Sequence, residues 1–413
     1  MSEETWDGLG RARQLLADTE RLAQTITTPA VGNPHGFRAW ALREIVTALS
    51  GLDPAEAERV ARTIPDPLYQ AKAFTDVAGA LVKVDPGRAR ELLAEAERIV
   101  PRTDLVLLGC RALVAVVGVL ADLDPEDAER VAWGIADPAY RVHALTEVAG
   151  ALAGVDAGRA RDLLAQAEDV VRSGSLDEPE RALAWVAGVL TRLDPGGAER
   201  LARTIAEPYA QGRALREVVT VLAESEPDDA ERLAFTIGHR LRRAQALTLI
   251  ARALAASNAE RARGLLIEAE RLARTVPRAW WQARALMQVA SALIAVDVER
   301  ARDLLAEAEQ IARTDSHPDP VLEDAAQALA RIDPGDAERL ARSIRRPANR
   351  NNAQKKVAEE MALADPDNAV RLAHTIPSLA YQCRALAGIA RVWGGDLRWG
   401  HEVADVSAER CRA

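Results

Sequence analysis

Apolar positions along this chain recur with the period of an α-helix. In AFTDVAGAL, the residues Phe74, Val77, Ala78 and Leu81 follow the i, i+3, i+4, i+7 pattern of one buried helix face. The same phrase returns as HALTEVAGAL from His143 and RALMQVASAL from Arg284. A more polar phrase lies between its copies. It reads LDPAEAERVA from Leu52, LDPEDAERVA from Leu123, LDPGGAERLA from Leu193 and IDPGDAERLA from Ile332. A longer variant reads VDPGRARELLAEAER from Val84, VDAGRARDLLAQAE from Val155 and VDVERARDLLAEAE from Val296. No stretch sustains the period-two alternation of a strand, so the pattern predicts helices throughout.

The two phrases alternate in register. The polar phrase has an anchoring alanine at Ala12, Ala57, Ala89, Ala128, Ala160, Ala198, Ala230, Ala262, Ala301, Ala337 and Ala369. The apolar phrase is anchored at Ala41, Ala73, Ala112, Ala144, Ala182, Ala214, Ala246, Ala285, Val321, Ala353 and Ala385. An apolar anchor is followed by its polar anchor after sixteen residues every time, as from Ala41 to Ala57. The return distance varies: sixteen residues from Ala57 to Ala73, twenty-two from Ala160 to Ala182, twenty-three from Ala89 to Ala112. A fixed distance means a helix pair held at one geometry, and a variable one marks an edge that tolerates insertion. The extra residues of the long units correspond to about two helical turns. Asp53 before Pro54 reads as a helix N-cap followed by a first-turn proline, with Glu56 placed to complete a capping box. A single helix pair cannot bury its own apolar stripe, so the pairs must stack.

Two-helix repeats of this length resemble the tetratricopeptide and Sel1-like repeats. Phe74, Val77, Ala78 and Leu81 match the large, apolar, small and large positions of the first helix in that family, and Ala89 matches a small position of the second. The resemblance covers nearly the whole chain. It departs from the family in a helix-to-helix turn one residue shorter and in aromatic positions mostly replaced by Ala, Leu or Val; stacking like that of HEAT repeats stays open. The resemblance implies an all-α, right-handed superhelical solenoid of about eleven helix-turn-helix repeats of alternating length, whose concave groove is lined by the first helices and receives an extended peptide or ligand. On this reading residues 1–34 form an atypical N-terminal helical unit, 35–393 the repeat array and 394–413 a capping helix, the phase breaking at Gly394 and Gly395. The polar stretch from Asn349 and the two prolines after Ser316 are expected points of flexibility, and a loop falls near Asn33, Pro34, His35 and Gly36.

Composition narrows the function. Aromatic residues make up only 4% of the chain, so the core is built mainly of Ala, Leu and Val. The net charge of −9 argues against a general nucleic-acid binder, which needs a basic surface to neutralise phosphates. Three scattered cysteines, Cys110, Cys383 and Cys411, form neither a disulfide framework nor a zinc site. The acidic start MSEETWDGLGRARQLL lacks the character of a signal peptide, and the apolar run from Val106 to Leu120 is short for a membrane span and carries Arg111. The expectation is a cytoplasmic protein with no membrane contact. No phosphate-binding glycine loop, HExxH, CxxC or nucleophile elbow occurs, and the six histidines are scattered. No enzyme activity, cofactor or metal is expected.

One pattern points to binding. The residue before the apolar anchor is Lys72, Arg111, His143, Arg181, Arg213, Arg284 and Arg384 in seven units, and Trp40 in the first. The resemblance puts this position on the concave groove, where guanidinium groups would take an acidic or carboxylate-bearing ligand through bidentate bonds. Against this stands the possibility of solvated i, i+4 pairs: Lys72–Asp76, His143–Glu147 and Arg213–Glu217. Small residues at Gly79, Gly118, Gly150, Gly188 and Ser291 would floor the groove. Phe37, Tyr69, Tyr140, Trp281 and Tyr381, with Tyr209 and Trp280 one residue earlier, read as wedges between repeats. Trp40, Trp280 and Trp281 are the better ligand contacts among the aromatics, and Trp393 is expected in the core. The leading expectation is a non-catalytic interaction scaffold for a protein or peptide. The alternative is a small-molecule or peptide-ligand binding protein, a sensor or a sequestering resistance factor.

Overall fold

The computed structural model describes residues 3–26, 36–100, 106–174 and 176–410. The loop expected at Asn33, Pro34 and His35, and Cys411, lie outside the described residues. The described residues form twenty-two α-helices and no strand. First helices carry the apolar phrase: α2 (Phe37–Ser50), α4 (Pro67–Leu81), α6 (Val106–Ala121), α8 (Pro138–Leu152), α10 (Pro179–Leu190), α12 (Pro208–Ser225), α14 (Arg240–Leu254), α16 (Ala279–Leu293), α18 (Asp319–Ala330), α20 (Pro347–Met361) and α22 (Leu379–Arg410). Second helices carry the polar phrase: α1 (Glu3–Gln24), α3 (Pro54–Arg62), α5 (Pro86–Ile99), α7 (Pro125–Gly134), α9 (Ala157–Arg172), α11 (Pro195–Arg203), α13 (Pro227–Thr236), α15 (Ala259–Arg274), α17 (Val298–Arg313), α19 (Pro334–Ser343) and α21 (Pro366–His374). The fold is an all-α array of tandem helix pairs. No described helix is long and apolar enough to cross a membrane.

The constant sixteen-residue spacing has a local cause. At the turn between paired helices the capping aspartate donates its backbone N–H to the last leucine of the first helix: Asp53 to Leu49, Asp85 to Leu81, Asp156 to Leu152, Asp297 to Leu293. Its side chain then accepts the N–H three residues on, as Asp53 does from Glu56 at 3.1 Å. Each of these turns thus satisfies carbonyls of one helix and N–H groups of the next, and no residue can be added to them without breaking one of these bonds. The capping box expected at Glu56 does not form. The Asp53 N–H is already committed to Leu49, and the Glu56 carboxylate pairs with Arg59.

The second helices come in two lengths, nine or ten residues in α3, α7, α11, α13, α19 and α21, and fourteen or more in α1, α5, α9, α15 and α17. Long and short strictly alternate only up to α11; one further short helix, two long and two short follow. Alanines at the anchors are fully buried, as at Ala57, Ala160, Ala262 and Ala369, which lets helix axes approach closely.

Two compact units make up the chain: Met1–Val119 with Pro334–Ala413, and Leu120–Asp333. In the first, the two ends of the chain meet: α1 packs on α22, and α22 on α2. Of the expected boundaries, residue 34 lies outside the described residues and residue 394 falls inside α22. Residues 3–24 form the second helix of a pair whose first helix is α22, and α22 runs unbroken through Gly394 and Gly395. Ala12, Leu16, Thr19 and Ala23 are buried, and the Cys383 thiol faces the Thr19 carbonyl at 3.9 Å. The polar stretch after Asn349 is helical as α20, with Asn351 and Gln354 buried. The two prolines after Ser316 begin α18.

Candidate ligand-binding face of the first helices

Consecutive first helices stack so that the ladder position of one meets the residue one turn further along the next. His143 of α8 stacks on Trp185 of α10, ring centroids 4.4 Å apart and nearly parallel at 11°. The Gln245 amide of α14 donates to Gln288 of α16 at 3.1 Å. Arg384 of α22 lies 3.5 Å from the Glu44 carboxylate of α2. The ladder therefore runs along the seam between repeats.

Within the first unit, the Arg384 guanidinium sits 3.7 Å from the centroid of Trp40 and 5.6 Å from that of Tyr381, whose ring meets Trp40 edge-on at 5.2 Å. Only 13% of the Arg384 side chain is exposed, and its Nε is buried without a hydrogen bond. One repeat on, Arg43 pairs with Asp76 at 3.0 Å and the Thr47 hydroxyl donates to the same carboxylate at 2.8 Å. Burial nonetheless raises the Asp76 carboxyl above its ordinary range. Lys72 lies over the Tyr69 ring at 5.9 Å, and burial, then Arg43 and Arg111, hold its ammonium below the usual lysine range. Arg111 is exposed and makes no hydrogen bond or ion pair among the described residues.

Within the second unit, Arg181 lies over Trp185 at 5.1 Å and reaches Glu178 at 3.5 Å. Arg284 lies over Trp280 at 5.2 Å, and Trp280 meets Trp281 edge-on at 4.5 Å. Arg213 is half-buried with no such partner among the described residues. Of the expected i, i+4 pairs only His143–Glu147 forms, at 3.3 Å. Asp76 is taken by Arg43 from the preceding helix, and Glu217 by its neighbour Arg216.

Five of the seven basic ladder side chains thus pack on an aromatic ring: Lys72, His143, Arg181, Arg284 and Arg384. Stacking uses the flat face of a guanidinium and leaves its N–H edge available for an acceptor. The small residues serve packing as well. A Cβ on Gly79 would touch Val119 at 3.7 Å, one on Gly150 would touch Val189 at 3.9 Å, and one on Gly188 would touch Glu217 at 3.4 Å. Trp393 is half-buried and donates to the Ala362 carbonyl at 2.7 Å. Sequence reading missed Arg43, Trp185, Arg216, His239 and Arg242 on this face. Trp185 and Glu44 stand one helical turn after the ladder position, which is the signal that finds them.

The acidic stripe of the second helices also has a defined task. The glutamate of the A-E-R phrase reaches the next repeat: Glu58 to Arg88, Glu129 to Arg159 at 2.6 Å, Glu231 to Arg261 at 2.7 Å. Among the described residues no group of three or more His, Cys, Asp and Glu side chains could hold a metal ion.

No protein-family model and no curated protein sequence matches this chain. Among solved structures it is similar to Ton1535 from Thermococcus onnurineus NA1, at 16% identity over 81% of this chain and 94% of that one, with a TM-score of 0.31. It is also similar to a circular tandem repeat protein with novel repeat topology and enhanced subunit contact surfaces, at 15% identity over 97% and 99% of the two chains, with a TM-score of 0.18.

Proposed function

We propose that the chain is a non-catalytic binding protein whose first helices receive an acidic peptide segment of a protein partner. The observation that carries this reading is the packing of basic side chains on aromatic rings, Arg181 on Trp185 and Arg284 on Trp280 within the second unit. Cations stacked in this way are held in place before a partner arrives, so less side-chain entropy is lost on forming bidentate bonds to carboxylates. A tetratricopeptide-type arrangement, with the first helices presenting the groove, fits this use. So does a cytoplasmic location, where the buried thiols of Cys110 and Cys383 stay reduced.

The test is fluorescence anisotropy with labelled glutamate-rich peptides on the full chain and on a variant carrying Arg111→Ala, Arg181→Ala and Arg284→Ala. Binding by the parent and loss of it in a folded variant supports the reading; equal affinity of the two rejects it. The alternative, a small-molecule ligand, is favoured by the edge-on pair Trp280–Trp281, both half-buried. Saturable quenching of tryptophan fluorescence by a metabolite, abolished by Trp281→Leu, would decide for it.

A further inference from the structure

Positive charge gathers within the second unit between α12 and α14. Three arginines meet there. Arg242 lies with its guanidinium 4.2 Å from the centroid of Tyr209 and donates through Nη1 to the Gln245 side chain at 2.9 Å. Arg216 pairs with Glu217, a carboxylate that also acts on Arg242. Arg213 makes no hydrogen bond or ion pair among the described residues. His239, the residue before α14, sets its ring edge-on against Tyr209 at 5.3 Å and so fixes the ring on which Arg242 rests.

The cost of this arrangement is visible in its polar atoms. Nε of Arg216, Nε of Arg242 and Nδ1 of His239 are buried without a hydrogen bond. Burial, together with Arg216 and Arg213, holds the Arg242 guanidinium below its ordinary range, against the pull of Tyr209 and Glu217. Like charges gathered in a partly desolvated place, with one acid among them, are unfavourable on their own. The backbone is nevertheless shaped to admit them. A Cβ on Gly212 would stand 3.0 Å from Cβ and 3.1 Å from Cγ of Arg242, so the glycine makes room for the arginine stem.

We propose that Arg213, Arg216 and Arg242 form a binding site for a phosphate-monoester dianion. Three guanidinium groups against the single charge of Glu217 leave an excess of two, which a dianion neutralises. The second ionisation of a phosphate monoester lies near pH 6, so the dianion is the form present at neutral pH. Its oxygens accept charge-assisted hydrogen bonds from the guanidinium edges that the stacking on Tyr209 leaves available. Tyr209, Gly212, His239 and Gln245 are positioning residues. The dianion can belong to a free phosphorylated molecule or to a phosphorylated side chain of a partner. Only Arg213 is shared with the ladder, so the site does not depend on the acidic-peptide reading.

Isothermal titration calorimetry on the full chain tests this with two probes, inorganic phosphate and a phosphoserine hexapeptide, the unphosphorylated hexapeptide serving as control. Saturable binding is expected at pH 7.5, weaker at pH 5. Arg216→Gln and Arg242→Gln should each weaken it about tenfold or more, the scale of one lost charge-assisted hydrogen bond. Gly212→Ala should weaken it without altering net charge. Arg284→Gln on the same face should leave it unchanged, and so should the ladder variant used for the peptide test. Tighter binding of the phosphopeptide would assign the dianion to a partner chain, and equal binding to a free molecule. No saturable binding by the parent, or a folded Arg242→Gln variant that binds as the parent does, would overturn the proposal.

Discussion

The Arg11 guanidinium lies 3.6 Å from the Asp367 carboxylate, joining α1 to α21 across the two ends of the chain. The pairing repeats one found between ordinary neighbours. Arg11 stands one residue before the anchor Ala12 and Asp367 two before Ala369; Arg261 and Asp228 hold the same places around Ala262 and Ala230, and pair at 2.6 Å. Arg13 donates to the Leu52 carbonyl as Arg263 donates to Val296, again at matching positions. On the first helices, Arg384 meets Glu44 where His143 meets Trp185. The Arg11–Asp367 and Arg384–Glu44 contacts therefore carry the repeat register from the end of the chain to its beginning, and α1 packs on α22 as its second helix.

This contact predicts the behaviour of one thiol. Cys383 lies on α22 under α1, fully buried, and burial pushes its pKa up to about 12. The thiolate is the reactive form, so an alkylating reagent at pH 8 should leave Cys383 unlabelled in the folded protein. Labelling should appear only when α1 detaches. Mass-mapped alkylation across a urea series will check this. Cys383 should become reactive together with hydrogen exchange in α1. Fast labelling in buffer, with α1 still protected, would mean that the two helices are not packed as described.

Much of this architecture was legible in the sequence. The sixteen-residue spacing marked the paired helices, and the Asp-Pro step marked where each second helix begins. The partner of α22 was not legible, because the contact joins residues at opposite ends of the chain and no local periodicity carries it. Gly394-Gly395 suggested a break, since glycine costs about 1 kcal/mol in a helix interior, yet α22 continues through both. At the candidate site the ladder was visible as a register position. Its seam was not, because Trp185 and Glu44 belong to the next repeat, and the cluster around Arg242 is assembled from different register positions of α12 and α14.

The Glu270 carboxylate, only 8% exposed, bridges Arg274 within α15 and Arg300 on α17. Replacing it by Gln leaves two guanidinium groups beside a neutral amide. The arginines are partly solvated, so the loss is discounted from that of a fully buried pair, to about 2 kcal/mol. Glu309 pairs with Arg313 on an exposed helix face at 2.7 Å, and its replacement by Gln should cost about 0.5 kcal/mol or less. Urea unfolding of the two variants provides the comparison. Equal midpoints would mean that bridging between repeats contributes no more than a surface pair.

The stability of the second unit should fall as the solution is acidified, and His239 should account for part of the fall. Burial first, and the Arg242 charge second, hold its imidazole below the ordinary histidine range in the folded protein. The unfolded chain has the ordinary value, so it takes up the proton first as the pH drops. The contribution of the neutral ring is therefore fully present above the ordinary histidine pKa and is lost as the pH falls toward the depressed one. A His239→Gln variant lacks this proton and should show a flatter dependence of Tm between pH 7.5 and 5. NMR titration of the His239 ring gives the direct measurement. A midpoint at or above the ordinary value would mean that the ring is solvated and does not brace Tyr209 beneath Arg242. Inorganic phosphate bound between Arg213, Arg216 and Arg242 would shift the midpoint upward, since a dianion nearby favours the protonated ring.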